Sequence, residues 1–291
     1  MHPAATEERV AKALSAVSAD DLRATVELLS RPRHFTAEAE TNRWAAGWIE
    51  ERLRACGYET LLQGRYANVV ALPRARAEGA VVLVGAHYDS VPGCPGADDN
   101  ASAVAAMLGC ARAVSEHFPE RGVCFAAFNR EEDGLLGSTE LVEEYLPQSG
   151  LRIREAHVLE MVGYRDLRPG SQKLPADLPI QVSDAGDFLG LIANRDSNRV
   201  LDGVLKRARS YLPLFPVLGL KVFLGLEKRL PHLRRSDHAP FWQRRIPALM
   251  WTDTSEFRNP HYHQPTDTPE TLDYEFLRQV TQLLVAQAAA G

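Results

Sequence analysis

VCFAAFNREEDG, residues 123–134, runs from six uncharged residues straight into three adjacent carboxylates, Glu131, Glu132 and Asp133. An apolar run of six that stops at a turn reads as a strand buried on both faces, as in a sheet covered by helices on either side. Glu-Glu-Asp alone would be a solvated loop, because such residues mostly face water. Its weight comes from repetition. AVVLVGAHYD from Ala80, HVLEMV from His157 and IPALMWT from Ile246 are further apolar runs, and NVVAL from Asn68 is a shorter one. Helical stripes lie around them. Val10, Leu14, Val17, Leu22, Val26 and Leu29 mark residues 7–29, while Trp44, Trp48, Ile49 and Leu53 mark residues 36–56, with Gly57 as a stop. Val104, Met107, Leu108, Ala111 and Val114 mark residues 100–117; another helix follows from about Ser138, and residues 271–288 form a closing amphipathic one. Buried strands alternating with helices predict an α/β fold, a three-layer αβα sandwich around a central mixed, mostly parallel sheet. The functional crevice of such a fold opens at the carboxyl ends of its strands.

Bulk properties exclude several functions. The 291 residues are 45% hydrophobic and 24% charged with a net charge of −5, so no basic footprint predicts nucleic-acid binding. Cys56, Cys94, Cys110 and Cys124 have no C-x-x-C spacing and read as reduced thiols. The N-terminal stretch MHPAATEERVAKALSAVSAD has no charged region leading into an apolar one, which predicts no signal peptide and a cytoplasmic location. The most apolar segment, YLPLFPVLGLKVFLGLEKRL at residues 211–230, is interrupted by Pro213, Pro216, Lys221 and Glu227. Its runs fall short of the roughly 20 residues a bilayer requires, so stable membrane insertion is not expected. With no repeat or low-complexity linker, residues 1–291 read as one domain with a variable apolar insertion or lid at about 205–235. Residues 211–226 within it read either as a buried helix with loops, or as a pocket wall, a lid or a surface for oligomerisation.

The strand ends carry ligand chemistry. His87 and Asp89 close one strand two residues apart, on one face, so Asp89 can receive the second N–H of the imidazole. Asp98 and Asp99 lie in GCPGADDNAS, where both could simply cap the following helix. Glu160 is an acid inside an apolar strand, where an unpaired charge is costly; a salt bridge to Arg154 or Arg165 is its alternative. NPHYHQPTDTPETLD supplies His261 and His263. Together His87, Asp99, Glu132, Glu160 and His263 offer two imidazoles and three carboxylates, with Glu131 spare. That set suits two divalent zinc ions sharing one carboxylate, a recurrent arrangement for hydrolysing peptides and esters. Other divalent transition metals suit the same donors.

GAHYDS, PGADDNAS, REEDGLLGS, VLEMVGY, RSDHAPF and NPHYHQPTDT stand in one order between about residues 80 and 272. In these motifs the chain resembles the co-catalytic dizinc aminopeptidases, a family that includes leucyl aminopeptidases, aminopeptidase Y, glutamate carboxypeptidases and glutaminyl cyclases. The resemblance implies that His87, Asp99 and Glu160 hold one zinc and that Asp99 bridges to a second, completed by Glu132 and His263. It implies Glu131 as the general base acting on a metal-bridging water, Asp89 as the carboxylate orienting His87, and Tyr262 as a partner of the oxyanion. It also implies a non-proline cis peptide at Asp99–Asn100. Many members carry aspartate where this chain has Glu160, and His261 competes with His263; the H-x-x-x-D-T spacing favours His263.

The expected activity is that of an aminopeptidase on peptides or small aminoacyl substrates. The alternative is a carboxypeptidase or dipeptidase, motivated by EKRLPHLRRSDH with Lys228, Arg229, Arg234 and Arg235, where an arginine could receive a substrate carboxylate; the stretch otherwise reads as a solvated charge run. A glutaminyl cyclase is less expected because DGLLGS follows the glutamate pair without an aromatic insertion. A catalytically silent binding module would be expected to have lost ligands that this chain keeps. Asp133 reads as a solvated turn residue.

Overall fold

The computed structural model describes residues 3–74, 79–175 and 182–290. Eight strands form one sheet: β1 (Thr60–Gln63), β2 (Asn68–Ala71), β3 (Val81–His87), β4 (Val123–Phe128), β5 (Ile153–Glu160), β6 (Leu189–Ala193), β7 (Val217–Lys221) and β8 (Ala248–Thr252). Their order is β1-β2-β4-β3-β5-β8-β6-β7. The middle block β4-β3-β5-β8 is parallel, whereas β1, β2 and β4 pair antiparallel. A second reversal separates β8 from β6, after which β7 runs parallel to β6.

Period-two alternation sorts the side chains of β4 into two cores. Val123, Phe125 and Ala127 join the larger core, while Cys124, Ala126 and Phe128 join the smaller one. The larger core is covered by α1 (Pro3–Ser15), α2 (Ala19–Leu29), α3 (Ala39–Ala55), α4 (Ala103–His117), α7 (Asn198–Tyr211) and α9 (Tyr274–Ala289). The short α5 (Leu136–Glu140) leads into a wide turn at 141–145 and α6 (Leu146–Ser149), and that turn and α6 cover the smaller core together with α8 (His238–Gln243). This is the three-layer αβα sandwich. All four cysteines are free, and no described helix is long and apolar enough to cross a membrane.

Three local expectations are corrected. Residues 7–29 form two helices, because Ser18 turns extended and its hydroxyl accepts the Asp21 N–H at 3.3 Å, starting α2 afresh. The helix expected from Asn100 starts at Ala103; residues 97–102 form an irregular wide turn containing the cis Asp99–Asn100 bond. Residues 211–226 are not a buried helix. Tyr211 ends α7, and Val217–Lys221 is the edge strand β7, flanked by exposed Leu214 and Leu224.

Candidate metal centre

Four parallel strands deliver the polar residues to one rim. His87 ends β3, Glu160 ends β5, Glu131 and Glu132 follow β4, and the loop after β8 returns with His263. Asp99 descends from the turn between β3 and α4. Its two oxygens face different imidazoles: Oδ1 lies 3.3 Å from His87 Nε2 and Oδ2 lies 3.2 Å from His263 Nε2. Glu160 Oε2 is 3.5 Å from His87 Nε2, and Glu132 Oε2 is 3.2 Å from His263 Nε2. His87, Asp99 and Glu160 therefore form one group of convergent donors, and Asp99, Glu132 and His263 form another. A third combination joins His87 with Glu131 and Glu132. Glu131 Oε2 stands back, 4.0 Å from His87 Nε2.

The alternatives weighed for these residues are resolved by geometry. Arg154 pairs with Glu155 and Arg165 with Asp273, leaving Glu160 to accept from Ser236 Oγ at 2.6 Å. Neither Asp98 nor Asp99 caps α4. Asp98 is buried, with Oδ1 accepting from the Gly163 amide and Oδ2 from Asn259 Nδ2. His261 turns away, its Nδ1 against Thr266 Oγ1 and its ring edge-on to Tyr164. Tyr262 stacks on His263 with ring centres 3.7 Å apart, and its hydroxyl accepts from Arg235 Nη2 at 2.8 Å.

Supporting contacts hold the donors in register. Asp89 Oδ1 faces His87 Nδ1 at 3.4 Å, while its two oxygens accept the amides of Glu131 and Glu132 at 3.2 and 3.3 Å. One carboxylate thus holds the backbone of the glutamate pair and stands beside the imidazole. Asn100 brackets Glu160, donating to Leu159 O and accepting from the Met161 amide, each at 3.0 Å. Asp267 accepts the amides of Asp98 and Asp99 at 2.9 and 3.1 Å. Asn129 donates to Asn42, Tyr66 O and the Tyr88 hydroxyl, pinning the start of the glutamate loop. Asp133 is the exposed turn residue expected, and in that position it accepts from Arg130 Nε at 2.8 Å and faces His34 Nε2 at 3.3 Å. Because Nδ1 of His34 accepts the Thr36 and Ala37 amides, Nε2 carries the proton directed at Asp133. Of these supports only the H-x-D pair had a local signal in sequence; the others act between distant segments.

The electrostatics describe a cluster short of positive charge. Burial pushes Glu131 well above the usual carboxylate range, with Glu160 and Glu132 adding to it against the pull of His87. Burial and then Asp99 raise Glu132 to about 7. Burial alone would lower both imidazoles. Glu160 and Glu131 outweigh it at His87, whose pKa stands well above its ordinary value, and Asp99 and Glu132 raise His263 to about 10. Asp99 is held low against its burial by His263 and His87. Both ring nitrogens of His87, Asp99 Oδ1 and Glu132 Oε1 are buried without a hydrogen-bond partner. Buried polar atoms left unpaired are costly. Nitrogen and oxygen donors that converge, lack partners and cling to protons are the set a divalent cation would satisfy while displacing those protons.

A cavity of about 680 Å³ opens beside the donors. Its apolar wall includes Phe188, Ile192, Leu218, Leu220 and Met250, and Lys173, Arg234 and Arg235 lie along its lining. Arg235 also pairs with Glu256. The side chain of Lys228 lies outside the described residues.

Comparison with known proteins supplies three kinds of likeness. The family described as Peptidase family M28 matches residues 68–180 and 227–288, more than half of the chain. The "Uncharacterized protein YfbL" of Escherichia coli (strain K12) is 34% identical over 284 residues, covering 90% of this chain and 85% of its own. "Aminopeptidase YwaD" of Bacillus subtilis (strain 168) is 31% identical over 211 residues, 71% of this chain but 40% of its own length. Among solved structures, BSAP, described as a zinc aminopeptidase from Bacillus subtilis, superposes with a TM-score of 0.58 at 26% identity, over 76% of this chain and 48% of that one. The chain thus spans under half the length of these two aminopeptidases.

Proposed function

The chain belongs to peptidase family M28, and from that premise we propose that it is a zinc-dependent aminopeptidase cleaving the N-terminal bond of peptides. One observation carries the reading: Asp99 offers one oxygen to the His87–Glu160 side and the other to the Glu132–His263 side, so two donor groups share a carboxylate. His87, Asp99 and Glu160 would hold one ion, and Asp99, Glu132 and His263 a second. Zinc bound there supplies a Lewis acid that acidifies water and polarises a carbonyl.

The remaining chemistry falls to side chains. Glu131 lines the cavity next to the donors and, made proton-seeking by burial, takes the proton of the attacking water and passes it to the leaving amine. Asp89 keeps the Nδ1 proton of His87 in place so that Nε2 faces the donor cluster. Tyr262, whose phenol is held neutral by burial, donates to the carbonyl oxygen as it gains charge. Glu131 and Glu160 attract the free ammonium of the substrate. The apolar wall formed by Phe188, Ile192, Leu218, Leu220 and Met250 receives an uncharged N-terminal side chain.

A second reading, a dipeptidase or carboxypeptidase, draws on Lys173 and Arg234 in the lining, where they can meet a substrate carboxylate. Leucine p-nitroanilide, a free Leu-Leu dipeptide and N-acetyl-Leu-Leu separate the two. Zinc-dependent cleavage of the anilide and dipeptide, with the acetylated peptide untouched, is the expected result. Cleavage of the acetylated peptide alone would reassign the enzyme as a carboxypeptidase.

A further inference from the structure

Arg33 lies between α2 and α3, outside both donor groups, and has no exposed surface. A guanidinium in such a place is costly unless its N–H groups are satisfied. Nε donates to Tyr88 O at 2.7 Å and Nη2 to Gly96 O at 2.8 Å. Nη1 reaches Pro95 O at 2.5 Å, Leu29 O at 3.0 Å and Arg31 O at 3.2 Å. All five acceptors are main-chain carbonyls, so the charge is answered at longer range, by Asp267, Asp99 and Asp89.

Three of those carbonyls, from Tyr88, Pro95 and Gly96, bracket the path from His87 and Asp89 at the end of β3 to Asp99. Residues 88–96 fold around the guanidinium as around a peg. Gly96 has φ +61°, and a Cβ there would lie 3.1 Å from both terminal nitrogens of Arg33 and 2.3 Å from the Asp99 carbonyl oxygen. The backbone therefore comes closer to the fork than a side chain would permit. The main chain of Arg33 is itself fixed, its N–H donating to Ser90 Oγ at 3.1 Å and its carbonyl accepting from Asn42 Nδ2 at 2.8 Å.

We propose that Arg33 is a positioning residue for the metal centre: its fork sets the 88–96 loop so that His87 and Asp99 meet in register, and its charge offsets part of the acid cluster. The inference rests on the metal-centre reading above. It is tested with the full-length chain, stripped of metal and titrated with zinc against a chromophoric chelator and with cobalt followed by visible absorption. Arg33→Lys keeps the charge and removes the fork; Arg33→Met removes both. The expected result is folded variants with unchanged far-UV circular dichroism, at least one ion bound about 10- to 100-fold more weakly, as for other residues that orient ligands, and an altered cobalt spectrum. Arg33→Lys should be the milder of the two. Wild-type affinity and spectrum in the folded variants would overturn the proposal, as would unfolding of both, which would assign Arg33 to the general fold. A wild-type chain that takes up neither metal is a separate result, one that removes the metal-centre reading as well.

Discussion

Asp99 and Glu131 sit in the same acid cluster, yet their substitution should fail in different ways. Glu131→Gln keeps an oxygen and the shape but cannot take a proton, so kcat should fall by about 10²- to 10⁴-fold while zinc content, read by elemental analysis, stays at the wild-type value. Asp99→Asn weakens both donor groups at once and should lower the zinc content itself. Equal metal loss in both variants would remove the distinction. His238 provides a test away from the donors: burial lowers its imidazole to about 4, with Nε2 against Leu233 O at 2.9 Å. The unfolded chain takes up a proton near 6.5 and the folded chain only near 4, so stability present above pH 6.5 is lost as pH falls toward 4, by about 3 kcal/mol. Urea unfolding of metal-free protein at pH 7 and pH 4 should show that extra loss in wild type and not in His238→Phe. At this scale, His87, Glu131, Glu132 and Glu160 are legible because each stands where an apolar run stops, and Asp99 and His263 because they lie in the polar loops that follow two such runs. Sequence did not reveal Arg33 or Ser236, and it offered Asp267 only as the acid of the H-x-x-x-D-T spacing, with no contact assigned. Their partners are carbonyls, amides or side chains brought in from remote segments, and no spacing along the chain encodes such a meeting.

Single strands behave differently from single residues, because a buried strand is constrained from both faces. Gly85 in β3 has no room for a side chain; a Cβ would stand 2.5 Å from the ring of Phe128 on β4. Gly85→Ala should cost about 1–3 kcal/mol in urea unfolding, and it should also lower activity, since Phe128 immediately precedes the loop carrying Glu131. Unchanged stability would mean that the ring moves aside freely. The central strands β3, β4, β5 and β8 were legible because burial on both faces demands unbroken apolar runs. β7 was not, since an edge strand tolerates a wet face: Leu218 is exposed, and prolines precede it. β6 lacked the flanking signals that made the other elements stand out, whereas the amphipathic α7 has Ser197 before it and Pro213 after it. The break before α2 also had a signal, Ser18 followed by two acids, and it was overrun by the continuity of the apolar stripe.

The whole molecule should survive loss of its metal, because two hydrophobic cores and a continuous ladder of eight strands hold it together without the donors. Chelation should abolish activity and lower the melting temperature with far-UV circular dichroism intact; saturating zinc, at a thousandfold over its dissociation constant, should restore about 4 kcal/mol. Collapse of the secondary structure on chelation would show instead that the centre holds the fold. The reversal between β8 and β6 bears on more than stability. It pairs Gly190 with Thr252, so β6 and β7 begin at the rim where the parallel strands finish. The metal-site donors come from strand endings and the loops after them, while most of the apolar wall, with Phe188, Ile192, Leu218 and Leu220, comes from β6, β7 and the residue before β6, and Met250 of β8 completes it. Grafting residues 186–221 from a relative should therefore change the preferred side chain and leave zinc stoichiometry as it was. The sheet thus has a seam at that reversal, with the donors on one side of it and most of the apolar wall on the other.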